Sequence, residues 1–278
     1  TATITTGAVT TTLNAIGNVA TTDTITFTTD DTTGVDASDL VDLNALVDTS
    51  DYSTVTGLTE AYDTANVATE VTTALGLLDA DETVSITGGS ISAANADTIA
   101  NATSGAVTAT ITTGAVTTTL NAIGNVATTD TITFTTNDTA GVDASDLVDL
   151  NALVDTGDYT SITGLTEAST TAAVATEVTN ALTITGGTET VSITGADISA
   201  ADANTIANAT IGVVTATVTA AAASTLAAAL TNTASTDALT LTVNAEGVGA
   251  TDAADLVALN ADTSEAISLD AGLTSIQG

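Results

Sequence analysis

The stretch Thr24-Ile25-Thr26-Phe27-Thr28 decides the fold, together with the segment Asp36-Ala-Ser-Asp-Leu-Val-Asp-Leu-Asn-Ala-Leu-Val47 that follows it. The first alternates polar and apolar side chains, the period of a strand with one buried face. The second places Leu40, Leu43 and Val47 on one helical face, and Asp36 precedes it as an N-cap. A strand followed by a helix predicts a βα unit whose next strand runs parallel.

The unit belongs to a long internal repeat. The stretch Thr1-Ala-Thr-Ile-Thr-Thr-Gly7 returns as Thr108–Gly114, an offset of 107 residues that carries Phe27 onto Phe134. A third, diverged copy opens at Thr215. The sequence therefore predicts three parts, namely a first copy at 1–107, a second copy at 108–214, and a partial copy at 215–278 that serves as a cap or joint.

Each full copy is predicted to hold four βα units. The predicted strands of the first copy are Thr3–Thr5, Thr24–Thr28, Thr54–Thr56 and Thr83–Thr87. Helical spacing marks Asp36–Val47, Asn66–Leu78, Ser199–Ala207 and Ala220–Thr231. We expect an α/β fold, a right-handed βα solenoid with a parallel sheet on one face and short helices on the other. This construction is similar to that of a leucine-rich-repeat protein. A closed (β/α) barrel is the alternative. Eight units, those of the two full copies, could close it, and the third copy would then be surplus.

The charge of the chain is of one sign only. The 278 residues include 34 Asp and Glu but no Lys, Arg or His, which gives a net charge of −34. Apolar residues make up 44% of the chain and the mean hydropathy is +0.40, so the chain is not an acidic disordered segment. Such a charge is tolerated best where salt screens it, and we therefore expect an extracellular or cell-surface location.

This composition excludes several classes of function. Nucleic acid and anionic membrane surfaces are excluded as partners because no side chain can meet a phosphate. The apolar runs are too short for membrane insertion. Without His, Lys, Arg or Cys, a Ser or Thr nucleophile lacks its usual base, so we do not expect an enzyme. A glycosidase that uses a pair of carboxylates is the remaining catalytic alternative. The chain has no platform of aromatic side chains on which a sugar could bind.

Alternating threonines predict an uncharged strand face, since no acid falls within the Thr-x-Thr runs. The predicted interaction face comprises Thr3, Thr5, Thr26, Thr28, Thr110, Thr112, Thr133, Thr135, Thr217 and Thr219. Three interpretations stay open: simple β-propensity, lateral packing of copies, and ice binding, because such ladders resemble those of insect antifreeze proteins.

The acidic turns suggest sites for divalent cations. Asp48 and Asp51 recur in the second copy as Asp155 and Asp158, and hard cations prefer such oxygen ligands. No EF-hand loop or glycine-rich nonapeptide occurs. We therefore expect divalent cations as diffuse counterions, no required cofactor, and Ca²⁺ at these four residues as the candidate metal site.

Three stretches carry a family resemblance, namely Ile198–Ala207, Val213–Val218 and Thr236–Val243. They resemble the Ala/Thr/Asp-rich repeats of giant secreted bacterial surface proteins, those of cyanobacteria especially. The resemblance implies a role in surface layers, adhesion or extracellular matrix. We therefore expect a structural extracellular protein that assembles with copies of itself, head to tail, into a filament, sheath or surface layer. The alternative is an adhesin stalk or a binding module that uses the threonine face.

Overall fold

A computed structural model describes residues 1–16, 18–19, 23–62, 66–169, 173–245 and 250–278, without the side chains of Thr5, Ser169 and Ala250. The described part holds ten helices and nineteen strands, and every strand pairing in it is parallel. This confirms the α/β class. The chain divides into two compact units, Thr1–Thr136 with Leu150–Asp158, and Asn137–Asp149 with Tyr159–Gly278.

Strands and helices alternate along the chain. The first copy contains β1 (Ala2–Gly7), α1 (Val9–Ile16), β2 (Ile25–Thr29), β3 (Val35–Asp36), α2 (Ala37–Leu46), β4 (Thr49–Asp51), β5 (Gly57–Ala61), α3 (Val67–Leu75), β6 (Thr83–Thr87) and α4 (Ala93–Ala102). The second contains β7 (Val107–Thr110), α5 (Val116–Leu120), β8 (Thr131–Thr135), β9 (Val142–Asp143), α6 (Ala144–Leu153), β10 (Thr156–Asp158), β11 (Gly164–Ser169), α7 (Val174–Thr185), β12 (Thr190–Gly195) and α8 (Ala200–Ala209). The third contains β13 (Val214–Thr217), β14 (Ala221–Ala222), α9 (Ala223–Ala229), β15 (Ala238–Thr240), β16 (Thr242–Asn244), β17 (Ala250–Asp252), α10 (Ala253–Ala261), β18 (Ser268–Leu269) and β19 (Ser275–Gln277).

The sheets are open. In the first unit the strand orders are β1-β2-β4 and β10-β8-β7-β6-β5-β3, and in the second they are β15-β13-β12-β11-β9, β14-β16-β18 and β17-β19. The barrel alternative requires a sheet that closes on itself, and none of the sheets formed by the described strands does so. In the six-stranded sheet Val35 pairs with Leu58, Leu58 with Val84 and Val84 with Val107, which are 23, 26 and 23 residues apart.

The core lies between the sheets and the helices. One buried row of the core consists of Val35, Leu58, Val84 and Val107, which pair in register on successive strands. Because paired residues point to the same face of a sheet, their side chains stack on one another. Leu40 and Leu43 are buried on the predicted face of α2, whereas Val47 lies beyond the end of the helix and is only half-buried.

The predicted N-cap at Asp36 is confirmed, and Ser199, the first residue of a predicted helical segment, also caps its helix. The carboxylate of Asp36 accepts a hydrogen bond from the Asp39 N–H at 3.1 Å, and the Ser199 hydroxyl accepts one from the Asp202 N–H at 3.1 Å. Each bond satisfies a backbone donor that the first turn of a helix leaves free.

Two predicted elements were misplaced. Thr54–Thr56 is not a strand, because the Val55 N–H closes a turn on the Tyr52 carbonyl at 3.0 Å. The hydroxyl of Thr56 donates to the Thr32 carbonyl at 2.9 Å, and the strand begins only at Gly57. The predicted helix from Ala220 begins instead at Ala223, because Ala221 and Ala222 pair with β16.

The first sheet of the first unit ends at β4, and the next strand in sequence, β5, belongs to the other sheet. Strand β4 pairs with β2, but none of the described strands pairs with its other edge, while the neighbouring strand β5 continues onto β6. A cleft lies beside β4, and residues of the segments Ser50–Val55 and Leu77–Glu82 line it. None of the helices in the described ranges is long and apolar enough to cross a membrane.

Candidate functional site

Buried carboxylates connect neighbouring strands. One oxygen of Asp130 accepts a hydrogen bond from the Val107 N–H at 2.8 Å, and the other accepts one from the Ala127 N–H at 2.8 Å. Asp237 repeats this arrangement in the second unit with the N–H groups of Val214 and Ala234, each at 2.9 Å. In a chain without cationic side chains, backbone N–H groups are the partners that satisfy these buried charges.

Less buried acids make the same kind of bond across the stack. Asp31 accepts from the N–H of Val9, the first residue of α1, at 2.8 Å. Asp48 accepts from the N–H of Ile25, the first residue of β2, also at 2.8 Å. Asp31 follows β2 and Asp48 directly precedes β4, and each satisfies a backbone donor 22 or 23 residues earlier in the chain. The acids therefore act first as structural acceptors.

Glu60 is a buried acid whose pKa is strongly raised. Its side chain is 3% exposed, and its Oε2 accepts from the N–H of Ser38, in the first turn of α2, at 3.0 Å. Burial raises the pKa of Glu60 to about 7, and repulsion from Asp36 adds to this rise, while the Ser38 N–H opposes it. Glu60 is thus a buried acid that titrates near neutral pH.

The second unit repeats this acid at Glu167. Its carboxylate accepts from the Ser145 N–H at 3.0 Å, and burial, followed by repulsion from Asp143, raises its pKa. The sequence analysis missed both acids, although Glu60 stands two positions after Leu58 in a strand and so shares its buried face. That alternation is the signal that could have found them.

The predicted calcium ligands lie apart. Asp48 bonds to Ile25, whereas Asp51 accepts from the N–H and hydroxyl of Ser53 at 3.1 and 2.7 Å, which lowers its pKa. Asp48 directly precedes β4 and Asp51 is its last residue. Three residues span about 10 Å in an extended chain. Asp155 and Asp158 occupy the corresponding exposed positions around β10. Across the described residues, no three acids are grouped so as to hold a metal ion. Calcium at these four residues stays a prediction.

The predicted threonine face is distributed over several sheets. Thr3, Thr26 and Thr28 belong to the sheet β1-β2-β4; Thr110, Thr133 and Thr135 to the six-stranded sheet; and Thr217 to the second unit, while Thr112 and Thr219 lie just beyond strand ends. The side chain of Thr5 lies outside the described residues. The other nine are exposed or half-buried, and all of them except Thr3 alternate with buried positions of the chain.

Hydroxyls form rows where the register aligns them. Thr59, Ser85, Thr108 and Thr131 occupy successive strands in one row of the first unit. The face is not free of charge, however, because Asp36 pairs beside Thr59, Asp51 beside Thr28 and Asp158 beside Thr135. The expectation of an uncharged face is therefore wrong at these positions, where short strands bring turn acids into the sheet.

Comparisons of the chain with protein-family models, curated proteins and solved structures found no match. The function is therefore inferred from the chemistry and packing of the chain itself.

Proposed function

We propose that each unit is a right-handed βα solenoid and that the protein is a structural, non-enzymatic building block of an extracellular filament, sheath or surface layer. Copies of the chain associate head to tail through the open faces of their edge strands. The observation that carries this proposal is the exposure of core positions on β18 and β19.

The register partners of these positions on the preceding strands are buried. Leu269 pairs in register with Val243, and Ile276 with Thr251. Val243 and Thr251 are 0% and 2% exposed, whereas Leu269 and Ile276 are 46% and 56% exposed. The last strands therefore present an apolar face that a further parallel strand would bury.

The first strand offers a complementary edge. On its open side β1 has no partner among the described strands, and Ala2 is exposed while its register partner Ile25 is buried. Neither β1, β18 nor β19 contains an acid, so contact between these edges avoids the repulsion that the rest of the chain imposes. An interface between unlike faces does not close on itself and generates a filament.

The internal repeat supplies a template for this contact. Residue Thr1 of the first copy corresponds to Thr108 of the second, which lies on β7. There β7 pairs with β6 of the preceding copy, with Thr108 opposite Ser85. The start of the first copy, which carries β1, therefore has the same sequence as a segment whose strand β7 is paired inside the chain. The edge of β1 is therefore suited to pairing with a strand of the same repeat, such as a second copy of the chain provides.

The charge supports the extracellular setting within this proposal. With 34 acids and no cationic side chain, association requires screening by salt or by divalent counterions. The proposed partners are therefore further copies of the chain and divalent cations, without nucleic acid, membrane insertion or a required cofactor.

A second function, an adhesin stalk or threonine-face binder, including an ice binder, is favoured by the row of aligned hydroxyls that begins at Thr59. A stalk of this kind stays monomeric at high protein concentration. The two functions are therefore separated by the state of association.

We expect Ile276→Asp to abolish association of the chain, since it adds a charge to a surface that must be desolvated in the contact. Sedimentation velocity over a hundredfold concentration range, at 0.15 M NaCl with millimolar calcium, measures this. The matched control is Ile211→Asp, which alters an isoleucine that is 88% exposed on the loop after α8 and should leave association unchanged. Equal sedimentation of the wild type and Ile276→Asp across the range would contradict the proposal.

A further inference from the structure

We propose that the cleft beside β4 binds a hard divalent cation of the Ca²⁺ type through Glu82, independently of the proposed function. The cleft has a volume of about 260 Å³ and is lined by the acids Asp51, Asp79 and Glu82 and by the side chains of Ser50, Tyr52 and Ser53. No strand of the described chain pairs with the free edge of β4.

Glu82 has a buried carboxylate oxygen without a hydrogen-bond partner. Its side chain is 2% exposed, and Oε1 accepts from the Asp79 N–H at 3.2 Å, but Oε2 is buried without a hydrogen-bond partner. An unpartnered buried carboxylate oxygen is costly, and the chain contains no Lys, Arg or His to compensate it. No described hydrogen-bond donor reaches Oε2, so a cation from outside the chain is the compensation that we propose.

The second copy shows how the same glutamate is satisfied without an ion. Glu189, the counterpart of Glu82, is also 2% exposed, but it accepts from the Thr188 N–H at 2.8 Å and from the Thr188 hydroxyl at 3.3 Å. The first copy has Asp81 where the second has Thr188, and Asp79 where the second has Gly186. The first copy therefore loses a hydroxyl donor and gains two negative charges at one turn.

The chemistry of the cleft fits a hard cation. Carboxylates, hydroxyls and water are the ligands that Ca²⁺ takes in flexible geometry, whereas Mg²⁺ requires a near-ideal octahedron. Glu82 and Asp79 supply the carboxylates, and water completes the coordination, since no group of three acids that could hold a metal occurs in the described part of the chain. Binding would neutralise the charge that Asp79 and Asp81 add beside the buried glutamate.

Terbium luminescence and calcium calorimetry on the full chain test this site. Tb³⁺ substitutes for Ca²⁺, and Tyr52 in the cleft wall sensitises its emission when tyrosine is excited. In 0.15 M NaCl we expect one saturable site, competed by Ca²⁺, whose affinity falls at least tenfold in Glu82→Gln. The matched control is Glu189→Gln, in which the affinity should stay within a factor of two of the wild type.

A second variant keeps the test independent of folding defects. Asp79→Gly introduces the residue that the second copy carries, and we expect it also to weaken binding at least tenfold while the far-UV circular dichroism is unchanged. Two results would overturn the proposal. One is the absence of a saturable calorimetric signal in the wild type, and the other is an affinity equal to the wild type in both Glu82→Gln and Asp79→Gly.

Discussion

Replacing Asp130 with alanine is expected to lower the free energy of unfolding by about 3 kcal/mol. The side chain is buried and accepts from two backbone N–H groups, those of Val107 and Ala127. Alanine removes both acceptors, and the Val107 donor lies between two strands where water cannot replace the carboxylate. Each buried donor left without a partner costs about 1–3 kcal/mol.

Urea denaturation followed by circular dichroism measures this loss. The matched control is Asp42→Ala, which removes one negative charge from an exposed position of α2 and should change the unfolding free energy by less than about 0.5 kcal/mol. Asp237→Ala should reproduce the effect in the second unit, since its carboxylate makes the equivalent bonds. A stability of Asp130→Ala equal to that of Asp42→Ala would show that the acids are not structural acceptors.

Raising the pH from 5 to 8 is expected to destabilise the protein through Glu60 and Glu167. Burial raises the pKa of both acids in the folded state, to about 7 for Glu60. Between the ordinary pKa of 4.5 and the raised pKa, each acid therefore holds its proton in the folded chain but loses it in the unfolded chain. The contribution of Glu60 is therefore fully present below pH 4.5 and is lost as the pH rises through about 7, and that of Glu167 is lost as the pH rises through its own raised pKa. For Glu60 the loss is up to about 3 kcal/mol.

Thermal unfolding at pH 5, 6, 7 and 8 in constant salt measures this dependence. The double variant Glu60→Gln/Glu167→Gln should be more stable than the wild type at pH 8 and should lose most of the slope between pH 5 and 7. Glu265→Gln, at an exposed position, serves as the control for a lost charge. If the double variant keeps the slope of the wild type, the pH dependence arises from general repulsion and not from these two acids.

Much of the fold could be predicted because its signals are local. The alternation in Thr24–Thr28 and the spacing of Leu40 and Leu43 correctly predicted a strand and a helix. The caps at Asp36 and Ser199 were also visible in the sequence. Thr54–Thr56 failed because its hydroxyls bond to carbonyls of the preceding strand connection, a contact that depends on tertiary register.

The candidate site could not be predicted in the same way. Asp130 and Glu60 act on backbone donors 23 and 22 residues away, and these partners depend on how far the chain advances between paired strands. That advance is 23 residues at some steps and 26 at others, because the connections between strands differ in length. The sequence analysis found the acids of the turns but could not assign the strand that each one contacts.

Negative-stain electron microscopy of the purified full chain tests the central claim most directly. The chain should be imaged at micromolar concentration in 0.15 M NaCl, with and without millimolar calcium, beside the Ile276→Asp variant. The account predicts filaments with a regular axial repeat for the wild type and isolated particles for the variant. Isolated particles of the wild type under both conditions would contradict head-to-tail assembly and favour the stalk or threonine-face binder.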